Sequence, residues 1–172
     1  MKFYNTMNRT KEEFLPIKKG KVSLYTCGPT VYDYAHIGNL RAFLFEDILR
    51  RYLEFENLDV LHVMNITDID DKTIRRSKEE GRPLIDFTDE YTQAFFDDLK
   101  TLNMSPAHHY PRATEFISQM IDTIQRLEEK GYTYSAEDGS VFFKIAQFPE
   151  YGKLARLDPD QLKSGKRVAE DE

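Results

Sequence analysis

Residues 21–39 read KVSLYTCGPTVYDYAHIGN and combine a strand, a loop and the start of a helix. Lys21 to Cys27 has the apolar and aromatic character of a short strand, and Gly28-Pro29 after it ends that strand. The loop that follows carries the only cysteine of the chain and leads to His36-Ile37-Gly38-Asn39. A thiol can hold a soft metal, and a helix N-terminus can hold phosphate. This pattern predicts a site where a nucleotide meets a metal-bound substrate.

A long amphipathic helix and a second strand follow the loop. Ile37 through Phe55 has apolar residues three or four positions apart, which predicts a helix with one buried face. Asp59 to Ile66 has the β-branched and apolar character of a strand. The predicted apolar positions are Ile37, Leu40, Leu44, Ile48, Tyr52 and Phe55, and the predicted surface arc, with charges that can pair, is Glu46, Asp47, Arg50, Arg51 and Glu54.

The order strand, helix, strand predicts a parallel pair of strands joined by a right-handed crossover. Ligands of such sheets bind in the crevice beyond the carboxyl ends of the strands. Cys27 ends the first strand, and Asn65-Ile66-Thr67-Asp68 ends the second. We therefore expect these two segments to face the same crevice, in an α/β fold.

Helices are predicted to dominate the remainder of the chain. Their apolar residues recur at helical spacing, and Gly or Pro residues follow them. The dipeptide Asp138-Gly139 is a strong β-hairpin signal, whereas residues 162–172 have no core pattern. The predicted elements are helices over residues 68–80, 87–102 and 113–130 and a hairpin over residues 132–145.

Composition and charge restrict the class of protein. The chain has 172 residues, of which 40% are hydrophobic and 31% charged, as in soluble globular proteins. A net charge of −6 argues against a protein that coats nucleic acid through a basic face. A single cysteine excludes an internal disulfide, and no apolar run is long enough for a signal core or a membrane span. We expect a cytoplasmic protein with no membrane partner.

Several segments, in order along the whole chain, resemble those of cysteinyl-tRNA synthetases, which are class I aminoacyl-tRNA synthetases. They are Asn5-Thr6, residues 11–14 (KEEF), residues 25–33 (YTCGPTVYD), residues 36–39 (HIGN), residues 65–72 (NITDIDDK) and residues 111–114 (PRAT). A lone HIGN would be weak evidence, but the ensemble is strong.

The resemblance implies a partial Rossmann-like parallel sheet of a class I synthetase catalytic domain, with a helical and β-hairpin inserted segment. Residues 1–86 would form the first half of that domain. Residues 87–172 would form a segment that leads into the inserted region and is truncated at its C-terminus. The implied activity is ATP-dependent activation of L-cysteine to cysteinyl adenylate and transfer to tRNA(Cys), with Mg accompanying ATP. The implied enzyme is a monomer.

The resemblance places ATP at the start of the predicted helix. His36 and Asn39 would be catalytic by donating hydrogen bonds to phosphate oxygens as charge redistributes. Gly38 would let the nucleotide approach the helix closely. Asn39 stands where the family often has a second histidine, and unlike histidine its amide cannot become cationic.

The substrate cysteine would contact Cys27, Gly28 and Thr67 in the family. Cys27 matches the first zinc ligand, and zinc that binds the substrate thiol would reject amino acids lacking sulfur. The family's other ligands, a cysteine, a histidine and a glutamate, have no counterpart here, nor does its Lys-Met-Ser-Lys-Ser phosphate loop. We therefore expect that the 172-residue chain alone is inactive and cannot form cysteinyl adenylate.

Other interpretations of the same residues stay open at this stage. Cys27 also fits a small buried hydrophobe, and His36 fits an exposed residue of the first helical turn. Thr67 fits the N-cap of the following helix, with Asp70 in its first turn. Two further function classes are a cysteine:amino-sugar ligase of mycothiol synthesis and a non-catalytic paralogue or interaction module.

Overall fold

The computed structural model describes residues 1–155 and divides the chain into two compact units. One unit is continuous and comprises Pro16–Ile121, whereas the other combines Met1–Leu15 with the described residues from Asp122 onward. Within residues 1–155, no helix is long and apolar enough to cross a membrane. The strands are β1 (Lys2–Asn5), β2 (Thr10–Glu13), β3 (Lys21–Thr26), β4 (Asp59–Met64), β5 (Thr133–Ser135) and β6 (Val141–Phe143); the helices are α1 (Ile37–Phe55), α2 (Asp71–Glu79), α3 (Leu84–Thr101) and α4 (Ile117–Glu129).

A parallel pair of strands lies at the centre of the unit formed by residues 16–121. Strands β3 and β4 pair in parallel, from Lys21 opposite Asp59 to Thr26 opposite Met64, with helix α1 as the connection between them. Isolated bridges extend this pairing, because Thr30 lies beside Thr67 in a parallel bridge. The predicted strand, helix, strand order is confirmed, although both strands end slightly earlier than predicted. The fold class is α/β.

Helix α1 has the predicted bounds but a different buried face. The buried side chains are Phe43, Asp47, Arg50 and Leu53, whereas most of the predicted apolar face is exposed. Asp47 and Arg50 are buried because they satisfy backbone groups of a neighbouring loop. Asp47 accepts the Ser105 N–H at 2.8 Å, and Arg50 donates to the Pro106 carbonyl at 2.6 Å. The assignment of these two charged residues to the surface was wrong.

Helix α3 supplies much of the hydrophobic core of this unit. Phe87, Tyr91, Phe95 and Leu99 recur every four residues, so they line one helical face, and all are buried. Their aromatic rings contact each other and the ring of Phe43 edge to face. The buried cluster is Val31, Phe43, Met64, Ile66, Phe87, Tyr91, Phe95, Leu99, Met104 and Ala107.

Helix α2 starts at Asp71, three positions later than predicted, because Asp70 is its N-cap. The Asp70 carboxylate accepts the Thr73 N–H at 2.9 Å, and the Thr73 hydroxyl accepts the Asp70 N–H at 2.8 Å. The interpretation of Thr67 as the N-cap of this helix was wrong. The predicted helix over residues 113–130 is a short 3₁₀ turn, Ala113–Phe116, followed by α4.

The other unit contains two antiparallel hairpins. Strands β5 and β6 pair as predicted, and Gly139 in the turn has φ +85°, a conformation that favours glycine. Strands β1 and β2 also pair, from Lys2 opposite Glu13 to Asn5 opposite Thr10. The sequence analysis did not predict this hairpin.

The predicted domain boundary between residues 86 and 87 does not coincide with the division between the two units, and it stays a prediction. That boundary assigns helix α3 to the second segment. In the structure, α3 packs in one core with Met64 and Ile66, which belong to the first segment. The end of the second segment, including residues 162–172, lies outside the described residues.

Candidate functional site

A cavity of about 480 Å³ opens beyond the carboxyl end of β3. Its volume is in the range of small-molecule sites. The loop of residues 27–36 forms most of its wall, and the start of α1 forms another part. The cavity therefore brings together Cys27, Gly28, His36, Gly38 and Asn39, as the sequence predicted.

His36 caps helix α1 with its own side chain. It has extended backbone angles, φ −90° and ψ 168°, and its Nδ1 accepts the Gly38 N–H at 3.0 Å. An imidazole nitrogen that accepts carries no proton, so the neutral ring has its proton on Nε2. Asn39 completes the cap, since its Oδ1 accepts the His36 N–H at 3.2 Å. The Asn39 Nδ2 hydrogens are the donors left on that side chain.

These contacts correct one detail of the predicted phosphate site. We expected the first backbone N–H groups of the helix to be unpaired, but the Gly38 N–H is bonded to His36. The Asn39 N–H donates to the His36 carbonyl at 2.9 Å. An anion at this helix start would therefore meet the side-chain donors His36 Nε2 and Asn39 Nδ2 first.

Gly38 provides the space that the His36 cap requires. A Cβ atom at Gly38 would lie 2.8 Å from His36 Cε1 and 3.0 Å from Nδ1. The missing side chain thus accommodates the imidazole ring of the cap in this structure. Its predicted role in nucleotide approach stays a prediction.

Cys27 has an exposed thiol at the cavity wall. Its Sγ lies 3.7 Å from the Gly28 carbonyl, a weak contact. The interpretation of Cys27 as a buried hydrophobe was wrong. Among residues 1–155, no group of three or more His, Cys, Asp or Glu side chains is placed to hold a metal ion. The described residues thus offer one thiol and not a zinc site.

Gly28 lies directly against the chain that follows β4. A Cβ atom at Gly28 would come within 1.8 Å of the Asn65 carbonyl oxygen, a backbone atom that cannot swing aside. The Gly28 N–H donates to Asn65 Oδ1 at 3.1 Å. The Tyr25 hydroxyl donates to the same oxygen at 2.9 Å. Only glycine fits this close approach.

Thr67 lies on the other side of Asn65. Its Oγ1 accepts from Asn65 Nδ2 at 3.0 Å. Its backbone pairs with the Cys27 loop, since the Thr67 N–H donates to the Pro29 carbonyl at 2.9 Å and the Val31 N–H donates to the Thr67 carbonyl at 3.1 Å. Within the described residues, the cavity lining does not include Thr67. The structure places Thr67 near this loop, while its contact with substrate stays a prediction.

Asp68 anchors the segment after β4 to residues 112–114. Its buried carboxylate accepts hydrogen bonds from the Thr114 N–H at 2.9 Å, the Thr114 hydroxyl at 2.6 Å and Arg112 Nε at 2.9 Å. Arg112 also pairs with Asp89 at 2.6 Å. Burial raises the pKa of Asp68, but these hydrogen bonds outweigh burial, so its pKa lies below the usual value.

A buried polar group adjoins Cys27 through its neighbour Thr26. Thr26 Oγ1 lies 2.9 Å from His62 Nε2, and the His62 N–H donates to His108 Nδ1 at 2.9 Å. Burial lowers the pKa of His62, and the charge of Arg50 lowers it further. Both histidines are thus engaged in structural hydrogen bonds.

Two functional candidates were missed in the sequence. Lys72 lines the cavity with its ammonium group 5.3 Å from the centre of the Tyr32 ring, which gives the cavity a positive charge. Asn65 joins Gly28 to Thr67. Both residues occur in the quoted NITDIDDK segment, but only the fold reveals their partners.

Comparison with known proteins agrees with this geometry. A family model described as the class I (C) tRNA synthetase catalytic domain matches residues 13–172. The chain is 52% identical over 170 residues to a cysteine–tRNA ligase of Chlamydia pneumoniae, covering 99% of this chain and 36% of that relative. It is 52% identical over 172 residues to one of Brachyspira hyodysenteriae, covering 99% and 36%.

A third relative matches over a similar extent. The chain is 48% identical over 168 residues to a cysteine–tRNA ligase of Pyrococcus horikoshii, covering 98% of this chain and 35% of that relative. The chain therefore spans about a third of the length of the curated relatives it matches. Because the family model covers nearly all of the sequence, the chain belongs to the class I (C) tRNA synthetase catalytic-domain family.

Proposed function

We propose that this chain contributes one side of a cysteine–tRNA ligase site that binds ATP and L-cysteine. The observation that carries the proposal is one cavity whose wall contains both the Cys27 thiol and the His36 to Asn39 helix start. Membership in the synthetase family and relatives that are cysteine–tRNA ligases support it. In the proposed reaction, cysteinyl adenylate forms from ATP and cysteine, and the cysteinyl group passes to tRNA(Cys).

The ATP phosphates are proposed to lie at the start of α1, accompanied by Mg. His36 Nε2 and Asn39 Nδ2 are the side-chain donors that remain after the helix is capped. Hydrogen bonds to phosphate oxygens would strengthen as the cysteine carboxylate attacks the α-phosphorus and charge moves onto those oxygens. The positive charge of Lys72 in the same lining would add to this stabilisation. His36 thus acts electrostatically and not as a nucleophile.

The substrate cysteine is proposed to lie beside Cys27, Gly28 and Thr67. Zinc bound to Cys27 would select the substrate by its sulfur, but zinc sites in proteins have about four ligands. The described residues supply one thiol, which does not fit zinc on its own. We therefore propose Cys27 as a single ligand of a larger set.

The architecture and setting are part of the same proposal. The β3, α1, β4 unit would be one part of a Rossmann-like sheet, in which substrates lie beyond the carboxyl ends of the strands. A cytoplasmic, monomeric enzyme is the setting we propose for this activity.

A chimaera tests the proposal. This chain replaces the matching 36% of the Chlamydia pneumoniae ligase, and cysteine-dependent ATP–pyrophosphate exchange and tRNA(Cys) charging are measured. We expect both activities in the chimaera and neither in the 172-residue chain alone. His36→Ala should lower kcat about 100-fold, as removal of one transition-state hydrogen-bond donor typically does. His109→Ala, at an exposed histidine, is the matched control and should have no effect.

The outcomes separate the function classes. A folded chimaera without exchange activity would contradict the proposal. Exchange activity followed by transfer to an amino sugar, and not to tRNA(Cys), would favour the amino-sugar ligase. Exchange activity in the isolated chain at the rate of a full-length ligase would contradict the proposed need for further residues.

A further inference from the structure

Asn65 connects the two sides of the proposed cysteine site through its side-chain amide. Its Oδ1 accepts the Gly28 N–H at 3.1 Å and the Tyr25 hydroxyl at 2.9 Å. Its Nδ2 donates to Thr67 Oγ1 at 3.0 Å. Asn65 is half-buried, so these hydrogen bonds are partly shielded from water. One side chain therefore links Gly28 to Thr67, in addition to the backbone hydrogen bonds that join Thr67 to Pro29 and Val31.

The partners determine which end of the amide faces which loop. A backbone N–H can only donate, so the atom of Asn65 that faces Gly28 must be the oxygen. The nitrogen then faces Thr67 and donates to its hydroxyl oxygen. A hydroxyl that accepts from an amide keeps its own proton available for another acceptor. Thr67 is thereby set to act as a hydrogen-bond donor.

We propose that Asn65 is a positioning residue of the cysteine site. It holds Gly28 and Thr67 at a fixed separation, and it presents Thr67 as a donor to an acceptor atom of the bound amino acid, such as a carboxylate or carbonyl oxygen. This inference rests on the proposed function, because that function places the amino acid beside these residues. Asn65 itself acts through Thr67 and the Gly28 loop.

Aspartate at position 65 would keep the shape of the side chain but replace the amide donor that faces Thr67 with an oxygen acceptor. An aspartate oxygen can still accept from the Gly28 N–H and the Tyr25 hydroxyl. The other oxygen would face Thr67 as an acceptor, so the Thr67 hydroxyl would donate its proton to that oxygen. The ligand would then meet a Thr67 without a free proton.

The first experiment needs no ligand and uses the 172-residue chain. Amide hydrogen exchange at Gly28 is measured by NMR in the wild type, Asn65→Ala, Asn65→Asp and the control Asn103→Asp. Asn103 is exposed, so its substitution makes the same change of charge away from these contacts. We expect faster exchange of the Gly28 amide in Asn65→Ala and little change in Asn65→Asp and Asn103→Asp. Unchanged exchange in Asn65→Ala would overturn the positioning role.

The second experiment measures ligand affinity by titration calorimetry with ATP and a non-hydrolysable sulfamoyl analogue of cysteinyl adenylate. Asn65→Asp should weaken binding of the analogue about tenfold, the usual effect of losing a hydrogen bond to a charged group, while ATP affinity stays within about twofold. In a Thr67→Val background, Asn65→Asp should have no further effect, because Asn65 acts through that hydroxyl.

These results separate the inference from the proposed function. Equal weakening of ATP and analogue binding by Asn65→Asp, or additive effects with Thr67→Val, would overturn the role of Asn65 in presenting Thr67 as a donor. A wild-type chain that binds ATP but not the analogue would overturn the proposed amino-acid site together with that role. In that case, exchange at the Gly28 amide still decides the positioning role.

Discussion

Asp68 illustrates how single residues hold the candidate site in place. Its side chain is 2% exposed, yet it carries hydrogen bonds from Thr114 and Arg112, so its charge is compensated. Compensation matters because removing one partner of a buried ion pair leaves the other charge without a counterion. Asp68 directly follows Thr67, so its contacts restrain the segment that carries the proposed substrate contact.

We expect Asp68→Asn to lower the free energy of unfolding by about 3 kcal/mol at neutral pH, as is typical when one partner of a buried pair is lost. An asparagine in this place cannot compensate the charge of Arg112, which would keep only its more exposed partner Asp89. Urea denaturation of the full chain measures the change. Asp59→Asn is the matched control, because its pair with Lys21 is exposed, with side chains 72% and 68% accessible. A difference of less than about 1 kcal/mol is expected for that exposed pair.

The effect of Asp68→Asn on the free energy of unfolding should depend on pH. The pKa of Asp68 is lower in the folded chain than in the unfolded chain, where an aspartate has a pKa of about 3.9. Its contribution is therefore complete above the unfolded pKa and is lost as the pH falls through the lower folded pKa. The stability difference between wild type and Asp68→Asn should shrink below about pH 4. A constant difference down to pH 3 would contradict this account.

At the scale of elements, helix α1 has two faces with opposite roles. Phe43 and Leu53 are buried, together with Asp47 and Arg50, which bind the backbone of a neighbouring loop. Apolar side chains on the other positions are exposed, including Ile48 at 57% and Phe55 at 80%. The periodicity of apolar residues shows that α1 is amphipathic. It cannot show which face of the helix a neighbouring segment covers.

We expect Phe43→Ala to lower the free energy of unfolding by about 3 kcal/mol, since it removes a buried ring that contacts Phe95 at 5.2 Å between centroids. Ile48→Ala should change it by less than about 1 kcal/mol, because that side chain is already half exposed. Thermal or urea denaturation of both variants measures the contrast. Equal losses in the two variants would show that the buried face of α1 is wrongly identified.

These elements indicate how far sequence reasoning reaches. The bounds of α1, the parallel order of β3 and β4, and the hairpin at Gly139 follow from local spacing and turn residues. The cavity residues Cys27, His36 and Asn39 were found because they lie in one short loop.

The parts that sequence reasoning missed depend on contacts between distant segments. The role of Asn65 depends on hydrogen bonds to Gly28 and Tyr25, which lie far away in the chain. The N-cap of α2 was misplaced because Thr67 and Asp70 both have capping side chains. Only the fold shows that Thr67 pairs with the Cys27 loop while Asp70 caps the helix.

At the scale of the whole molecule, the candidate site belongs to one continuous unit. Residues 16–121 contain the cavity and the complete buried cluster from Val31 to Ala107. The remaining unit is discontinuous, since it combines residues 1–15 with the chain after position 121. Continuity in sequence is a feature of segments that fold independently.

We expect a fragment of residues 16–121 to fold, because it keeps the core of that unit intact. Dispersed amide signals in an NMR spectrum, including that of Gly28, would be the evidence. A fragment of residues 1–86 should not fold, because it lacks all the buried residues of α3, which supply much of the core. A folded 1–86 fragment beside an unfolded 16–121 fragment would favour the boundary predicted from the sequence.

The backbone contacts of the segment after β4 have a consequence for the order of folding. The Ile66 N–H donates to the Pro111 carbonyl at 2.8 Å, and the Ala113 N–H donates to the Ile66 carbonyl at 3.0 Å. Closing such distant contacts costs chain entropy before packing compensates for it. During synthesis, the ribosome must therefore release α2 and α3 before Ile66 and Asp68 have their final neighbours. We expect the site to be among the last parts of the unit to form, after its helices.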